Sequence, residues 1–171
     1  MKRIISLILL AIVCLGVCSC GFDSEAPDGM QLASNDSAAY LLYVPKTWSL
    51  GAASEYASAI YSADDPSNVS VFFFSPETDE SIAEYWAKFS EEYLAVFPSM
   101  TLISEENTLI DDKAATKYVF TATVSGEEYK FMQYITKYGG MVYMLTYTAP
   151  IDNFDLHTEE VQYIADNFRF R

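Results

Sequence analysis

The chain has 171 residues, 51% of them hydrophobic, and sets 24 acidic side chains against 10 Lys and Arg for a formal net charge of −14. That length accommodates one domain with a real core. The acidic excess excludes nucleic acid, whose phosphate backbone would be repelled, and excludes lying flat on an anionic membrane, which takes a polybasic patch.

Lys2 and Arg3 open the chain, an apolar run follows from Ile4 to Val17, and Ser19 stands directly before Cys20. This is the layout of a secretory signal peptide over residues 1–19, too short for a comfortable membrane span. The stretch Val17-Cys18-Ser19-Cys20 resembles the cleavage box of a bacterial lipoprotein signal, in which an aliphatic and two small residues precede the cysteine that receives the lipid. Cys14 and Cys18 each follow a bulky valine, whereas Cys20 follows serine and precedes Gly21, so Cys20 is the expected lipidation site. The alternative is a plain secretory signal with incidental cysteines. The resemblance implies an acylated (palmitate-type) anchor, and two acyl chains suffice for stable attachment where one does not. It places the chain at the cell membrane, lipid-anchored on the extracytoplasmic face. All three cysteines lie at or before residue 20, so the exported domain has no disulfide to staple it.

Residues 20–38 are rich in Ser, Asp, Gly, Ala and Pro, with neither a helical nor a strand period. They read as a flexible tether, its ends roughly 25 Å apart as a coil, with folding onto the domain as the alternative. The folded domain is then expected over residues 39–171. Tyr40 to Val44 is its first strand candidate, closed by Pro45, which cannot continue a central ladder. A weaker candidate covers Tyr56 to Tyr61 and ends at the turn Asp64-Asp65-Pro66-Ser67. Val69 to Phe74 carries apolar residues on both alternating faces of its second half and predicts a strand buried on both sides.

Ile82, Tyr85, Trp86, Phe89, Tyr93, Val96 and Phe97 recur at three and four residues, one face of a helix. Thr78 or Asp79 is placed to cap it and Pro98 to stop it. A short strand near Met100 to Ser104 precedes three longer ones, from about Ala114 to Val124, Tyr129 to Tyr138 and Met141 to Ala149. Their turns are Ser125-Gly126-Glu127-Glu128 and Gly139-Gly140; two glycines in a two-residue loop are a strong hairpin signal. A last helix follows Pro150, with Asp152 or Asp155 as cap and Phe154, Val161, Ile164, Ala165 and Phe168 as its apolar face. A short strand from Phe168 to Arg171 ends the chain. Strands, helix, strands, helix with hairpins between is an α+β order, an antiparallel β-sheet with two main helices packed on it.

Pro45 and Trp48 after the first strand, Tyr85-Trp86 on the helix, the Gly139-Gly140 hairpin, Tyr143 and Tyr147 on the next strand and Asn167-Phe168 ending the last helix together resemble the PsbP-like fold, over about residues 39–171. That fold is named after an extrinsic lumenal protein of photosystem II. The resemblance implies an α/β/α sandwich and an accessory or docking role rather than catalysis. One departure stands out: many relatives have a glycine in the turn before the meander, where this chain has Asp111-Asp112-Lys113.

The chain has no Gly-x-Ser-x-Gly elbow, no phosphate-cradling loop, no His-Glu-x-x-His and no Cys-x-x-Cys, so no cofactor and no catalytic residue is expected. His157, its single histidine, reads as a surface residue of the last helix; a general base beside Asp155 or Glu160 is the sharper alternative. Acidic doublets suggest calcium or a carboxylate pair for glycoside hydrolysis, which needs carboxyl groups about 5–9.5 Å apart across one cleft. Solvated charge explains most of them; Asp64, Asp65, Asn68, Asp111 and Asp112 are the places to look for a metal. Tyr118, Tyr134, Tyr143 and Tyr147 are candidates for a partner- or ligand-binding face if one side of the sheet is uncovered, and core residues if the helices lie on them. The expected function is a non-catalytic docking or accessory module for an envelope protein partner, tethered to the membrane through Cys20. The alternative is a binding protein for a small ligand or a divalent cation such as calcium.

Overall fold

The computed structural model describes residues 25–52 and 54–171. Cys20 and the signal peptide lie outside the described residues. In chain order the elements are β1 (Met30–Leu32), β2 (Tyr40–Leu41), β3 (Tyr43–Pro45), β4 (Ser49–Leu50), β5 (Ser58–Ile60), β6 (Asn68–Phe74), α1 (Ile82–Val96), β7 (Thr101–Ile110), β8 (Lys113–Val124), β9 (Glu127–Tyr138), β10 (Met141–Pro150), a 3-10 turn (Phe154–Leu156), α2 (Thr158–Asp166) and β11 (Arg169–Phe170). A seven-stranded sheet in the order β4-β5-β6-β10-β9-β8-β7 organises them, and two small ladders, β1–β3 and β2–β11, complete the pairing. Every pairing is antiparallel. The fold is α+β, two helices packed on a mostly antiparallel sheet.

Three successive two-residue turns build β7 to β10 into a meander. Each has positive φ at both positions: 48° and 58° at Asp111-Asp112, 54° and 91° at Ser125-Gly126, and 58° and 79° at Gly139-Gly140. Paired positive φ gives a turn whose twist matches that of the strands it joins. Asp and Ser reach that region at some cost, and glycine reaches it freely.

Because side chains alternate across a strand, each long strand feeds two cores. On one face Tyr118, Phe120, Ile135, Val142 and Met144 pack beneath Tyr85 and Trp86 of α1. On the other, Val69, Val71, Tyr134, Tyr143, Leu145 and Tyr147 pack beneath Val161, Ile164 and Ala165 of α2 and beneath the small ladders. The helices therefore lie on opposite faces of the sheet.

Several details differ from the sequence-based expectation. The stretch expected to be a tether as far as residue 38 folds onto the domain from Met30: β1 pairs with β3, and Met30, Ser34 and Ala38 are buried. Three residues of strand are too short to show a period, and the surrounding Ser and Asp conceal them. The cap of α1 is neither Thr78 nor Asp79 but Ser81, whose hydroxyl accepts from the Glu84 N–H while the Glu84 carboxylate accepts from the Ser81 N–H. This Ser-x-x-Glu capping box satisfies two backbone donors at once. Neither Asp152 nor Asp155 caps α2; His157 occupies that position. β6 is not buried on both sides, since Phe72 remains exposed where α1 does not reach.

Candidate functional site

β7 runs for ten residues at one end of the large sheet, and among the described residues it pairs only with β8. Its outer edge therefore presents a row of backbone N–H and C=O groups without sheet partners. Neither face is covered either: every residue from Thr101 to Asn107 is exposed. Leu102 and Ile103 near one end and Leu109 at the other, itself 61% accessible, leave apolar surface in water. The register slips between Leu102 and Ser104, a bulge that gives Ile103 no direct partner on β8. Glu105 and Glu106 stand at the middle of the strand, Glu106 reaching Lys117 of β8 at 2.6 Å.

A long exposed edge is a template for pairing with another chain, and bulges and charges are the usual means of restraining it. Here both restraints are present, the bulge at the Leu102–Ile103 end and the charges at the middle, yet the apolar side chains at both ends stay exposed. The expected strand near Met100 to Ser104 captured only the first half of this edge. Asp111-Asp112, a pair that tolerates positive φ, was the signal that could have carried it to Ile110.

The four tyrosines do not form an exposed binding face. Tyr118 lies beneath α1, its ring stacked on Trp86 at 4.1 Å. Tyr134, Tyr143 and Tyr147 lie on the opposite face, and all four are no more than 4% accessible. Tyr134 donates to Gln162 Oε1 at 3.2 Å and Tyr147 to the Phe154 carbonyl at 3.0 Å. Burial pushes both phenols up to about 12. All four are core residues, and the hydroxyls of Tyr134 and Tyr147 tie the sheet to the elements above it.

Asp65 has a structural task. One oxygen accepts from the Ser67 N–H at 3.0 Å and its hydroxyl at 2.6 Å, and the other meets His157 Nε2 at 2.8 Å. Burial alone would raise this carboxyl, but the hydrogen bonds from Ser67 and His157 outweigh it and hold the group well below the usual carboxylate range. An ionised carboxylate only accepts, so Nε2 carries the proton in this contact. His157 is consequently not the surface residue expected; it is 5% accessible, its ring 4.0 Å from that of Tyr61 and its Nδ1 3.5 Å from Glu160. Nor is the group a catalytic triad, because Ser67 donates to the aspartate rather than to the imidazole and is fully buried.

The remaining metal candidates have other settings. Asp64 and Asp112 are exposed, Asn68 donates to the Pro66 carbonyl at 3.0 Å, and Asp111 accepts from the Phe170 N–H at 3.1 Å, holding β11. Among the described residues no three ligating side chains gather as a metal site. No helix among them is long and apolar enough to cross a membrane.

No protein-family model matches the chain, and no curated protein sequence is significantly similar to it. Solved structures are similar to it in fold. Cyanobacterial PsbP (CyanoP) from Synechocystis sp. PCC 6803 superposes with a TM-score of 0.63 at 16% identity, over 90% of this chain and 98% of that one. LpqN, involved in cell envelope biogenesis of Mycobacterium tuberculosis, gives 0.60 at 15% identity, over 82% of this chain and 89% of that one. The Ran-binding protein Mog1p of Saccharomyces cerevisiae gives 0.59 at 8% identity, over 82% and 95%. At these identities the likeness is one of fold alone, and the fold is PsbP-like.

Proposed function

We propose that this protein is a lipid-anchored, extracytoplasmic docking module without catalytic activity, and that β7 adds an extended, basic segment of an envelope protein to its sheet. The observation that carries the reading is the uncovered ten-residue edge with apolar ends and an acidic middle. In such augmentation the backbone supplies affinity and alternate side chains supply specificity. Charge selects the occupant. Two copies of β7 paired antiparallel about their centre would set Glu105 against Glu106 in both directions, a destabilising arrangement between chains that each carry a net −14. Lys or Arg at the middle of a partner strand meets the same carboxylates favourably, and apolar residues at its ends meet Leu102, Ile103 and Leu109. The envelope role of LpqN supports the compartment.

The test is photo-crosslinking in native membranes from a probe at Ile103 or Leu109, with a probe at exposed Tyr163 of α2 as control and mass spectrometry of the linked peptide. The expected product is one basic segment, captured from β7 and not from α2. The double substitution Glu105→Lys and Glu106→Lys should reduce it at least tenfold, since both side chains are exposed and the fold does not depend on them. A product linking two copies of this chain, or no specific product, would overturn the basic-segment reading. In the same membranes Cys20→Ser should move the protein from the pellet to the soluble fraction. Unchanged sedimentation with no loss of incorporated palmitate would remove the lipid anchor from the proposal.

A further inference from the structure

Where the chain enters the fold decides how the domain stands on a membrane. Ala26 packs against the core on the α2 side of the sheet. The Pro27 carbonyl accepts from the Met30 N–H at 2.9 Å, and the Gly29 carbonyl accepts from the Lys46 N–H at 2.9 Å. Glu25 and Pro27 line a surface groove together with Asp111, Arg169 and Phe170. The entry point is therefore fixed, and it lies beside the turn that joins β7 to β8.

That turn stands at one end of the sheet. In an antiparallel meander alternate turns share an end, so Asp111-Asp112 lies with Gly139-Gly140, and Ser125-Gly126 lies at the other. Side-chain contacts agree: Lys113 Nζ is 5.8 Å from the centre of the Tyr138 ring, and Tyr138 stacks at 4.3 Å on Phe170, whose N–H donates to Asp111. The twelve residues of β8 separate the two ends by roughly 35–40 Å. Only five peptide steps join Cys20 to Glu25, and at full extension they reach about 18 Å. The leash is shorter than the domain is tall.

Building on the lipid anchor at Cys20 proposed above, we infer that the domain stands on end, with the Asp111-Asp112 and Gly139-Gly140 turns toward the bilayer and β7 rising from it, Ile110 lowest. Inversion is out of reach, because it would carry the entry point farther from the lipid than the leash extends. Charge opposes lying on either helical face. α2 has Glu159, Glu160 and Asp166 with no Lys or Arg, and α1 sets Glu84, Glu91 and Glu92 against Lys88 alone. Anionic lipid repels both surfaces. The rival posture tips the domain onto the opposite edge of the sheet, where Leu50, Tyr56, Ile60 and Phe72 expose apolar surface.

The upright posture narrows the class of partner. β7 is roughly 30 Å long, so all of it stands within about 50 Å of the lipid. The strand it takes up runs along the membrane normal at that height, as the stretch beside a membrane span or lipid anchor of another protein does. A partner held on the same surface also meets β7 at a raised effective concentration.

The experiment places the full lipidated chain in phosphatidylcholine and phosphatidylglycerol vesicles that carry a headgroup-labelled acceptor lipid. All three native cysteines lie at or before residue 20, so a single Glu77→Cys or Glu127→Cys takes the donor dye selectively. Both positions are exposed; Glu77 stands beside Gly139-Gly140, and Glu127 follows the far turn. Energy transfer from the Glu77 position should exceed that from Glu127 at least about threefold, given their difference in height of roughly one strand length. Inserting about twenty Gly and Ser residues between Ser24 and Glu25 should weaken the Glu77 signal and narrow the difference, since the longer leash then spans roughly 25–30 Å as a coil. Equal transfer from the two labels of the uninserted chain would overturn the upright posture in favour of tipping. A difference that survives the insertion would overturn the leash as its cause. A chain that fails to float with the vesicles would overturn Cys20 as the anchor, and the posture with it, so the two failures are told apart. In native membranes the segment linked from β7 should lie beside a membrane span or lipid anchor, and a segment from an unanchored protein would overturn the partner class.

Discussion

Tyr40→Ala should lower the stability of the domain by about 4–5 kcal/mol, the upper range for truncating a buried aromatic, and the melting temperature by roughly 10–15 °C for a domain of this size. Tyr40 is fully buried and joins four parts of the fold. Its ring stacks on Phe168 at 5.3 Å and meets Phe73 and Tyr143 edge-on at 6.2 and 6.1 Å. Its hydroxyl donates to the Glu55 carbonyl at 2.7 Å and accepts from the Ala57 N–H at 2.9 Å. The ladder of β2 and β11 is only two residues long, so these contacts, and not its own hydrogen bonds, hold it on the sheet. Tyr40→Phe separates the contributions: the ring stays, the loop at Glu55 and Ala57 loses both partners, and the expected cost is about 1–3 kcal/mol. Denaturant titration of the two variants is the check. A loss below about 1.5 kcal/mol for Tyr40→Ala would mean that the small ladder is not part of the cooperative core.

The meander that Tyr40 packs against was legible where its turns contained glycine. Gly139-Gly140 announced its hairpin, and the strands on either side were placed to within a residue or two. Asp111-Asp112 makes the same kind of turn without glycine, and the strand before it was therefore cut at Ser104 instead of Ile110. There is a deeper reason for that loss. Alternation of apolar and polar residues marks a strand only where one face is buried, and Ser104 to Asn107 have neither face buried. The exposure on which the proposed docking role of β7 rests is also what removes its signal. The tyrosines show the converse limit: a period of two divides them between faces, but which face lies beneath a helix depends on contacts between distant parts of the chain. The capping box at Ser81 and Glu84 has a signal in the sequence, but Thr78 and Asp79 just before it are equally good capping residue types.

His157 was illegible for the same long-range reason, since its partner stands 92 residues away in the turn before β6. The prediction that follows concerns this contact. Asp65→Ala should cost about 3–5 kcal/mol, because it leaves a buried imidazole and the Ser67 hydroxyl and N–H without their acceptor. Asp65→Asn keeps the shape and one acceptor oxygen, and should cost about half as much. The loss reaches α2 and the connection between β3 and β4 together, since Glu160 contacts His157 Nδ1 and also accepts from Trp48 Nε1 at 3.2 Å. The pH dependence has a definite sign. The folded-state carboxyl of Asp65 lies below its ordinary value, so the folded protein releases this proton more readily than the unfolded chain. Its contribution is therefore fully present above the ordinary aspartate value of about 4 and is lost as pH falls from there toward the depressed folded value. Denaturation midpoints measured from neutral pH into acid should thus fall more steeply for the wild type than for Asp65→Asn, and the two curves should converge at the acid end. Parallel curves would show that the carboxylate is not held by Ser67 and His157 in solution. The gap at neutral pH would then measure a loss of packing rather than of charge-assisted hydrogen bonds.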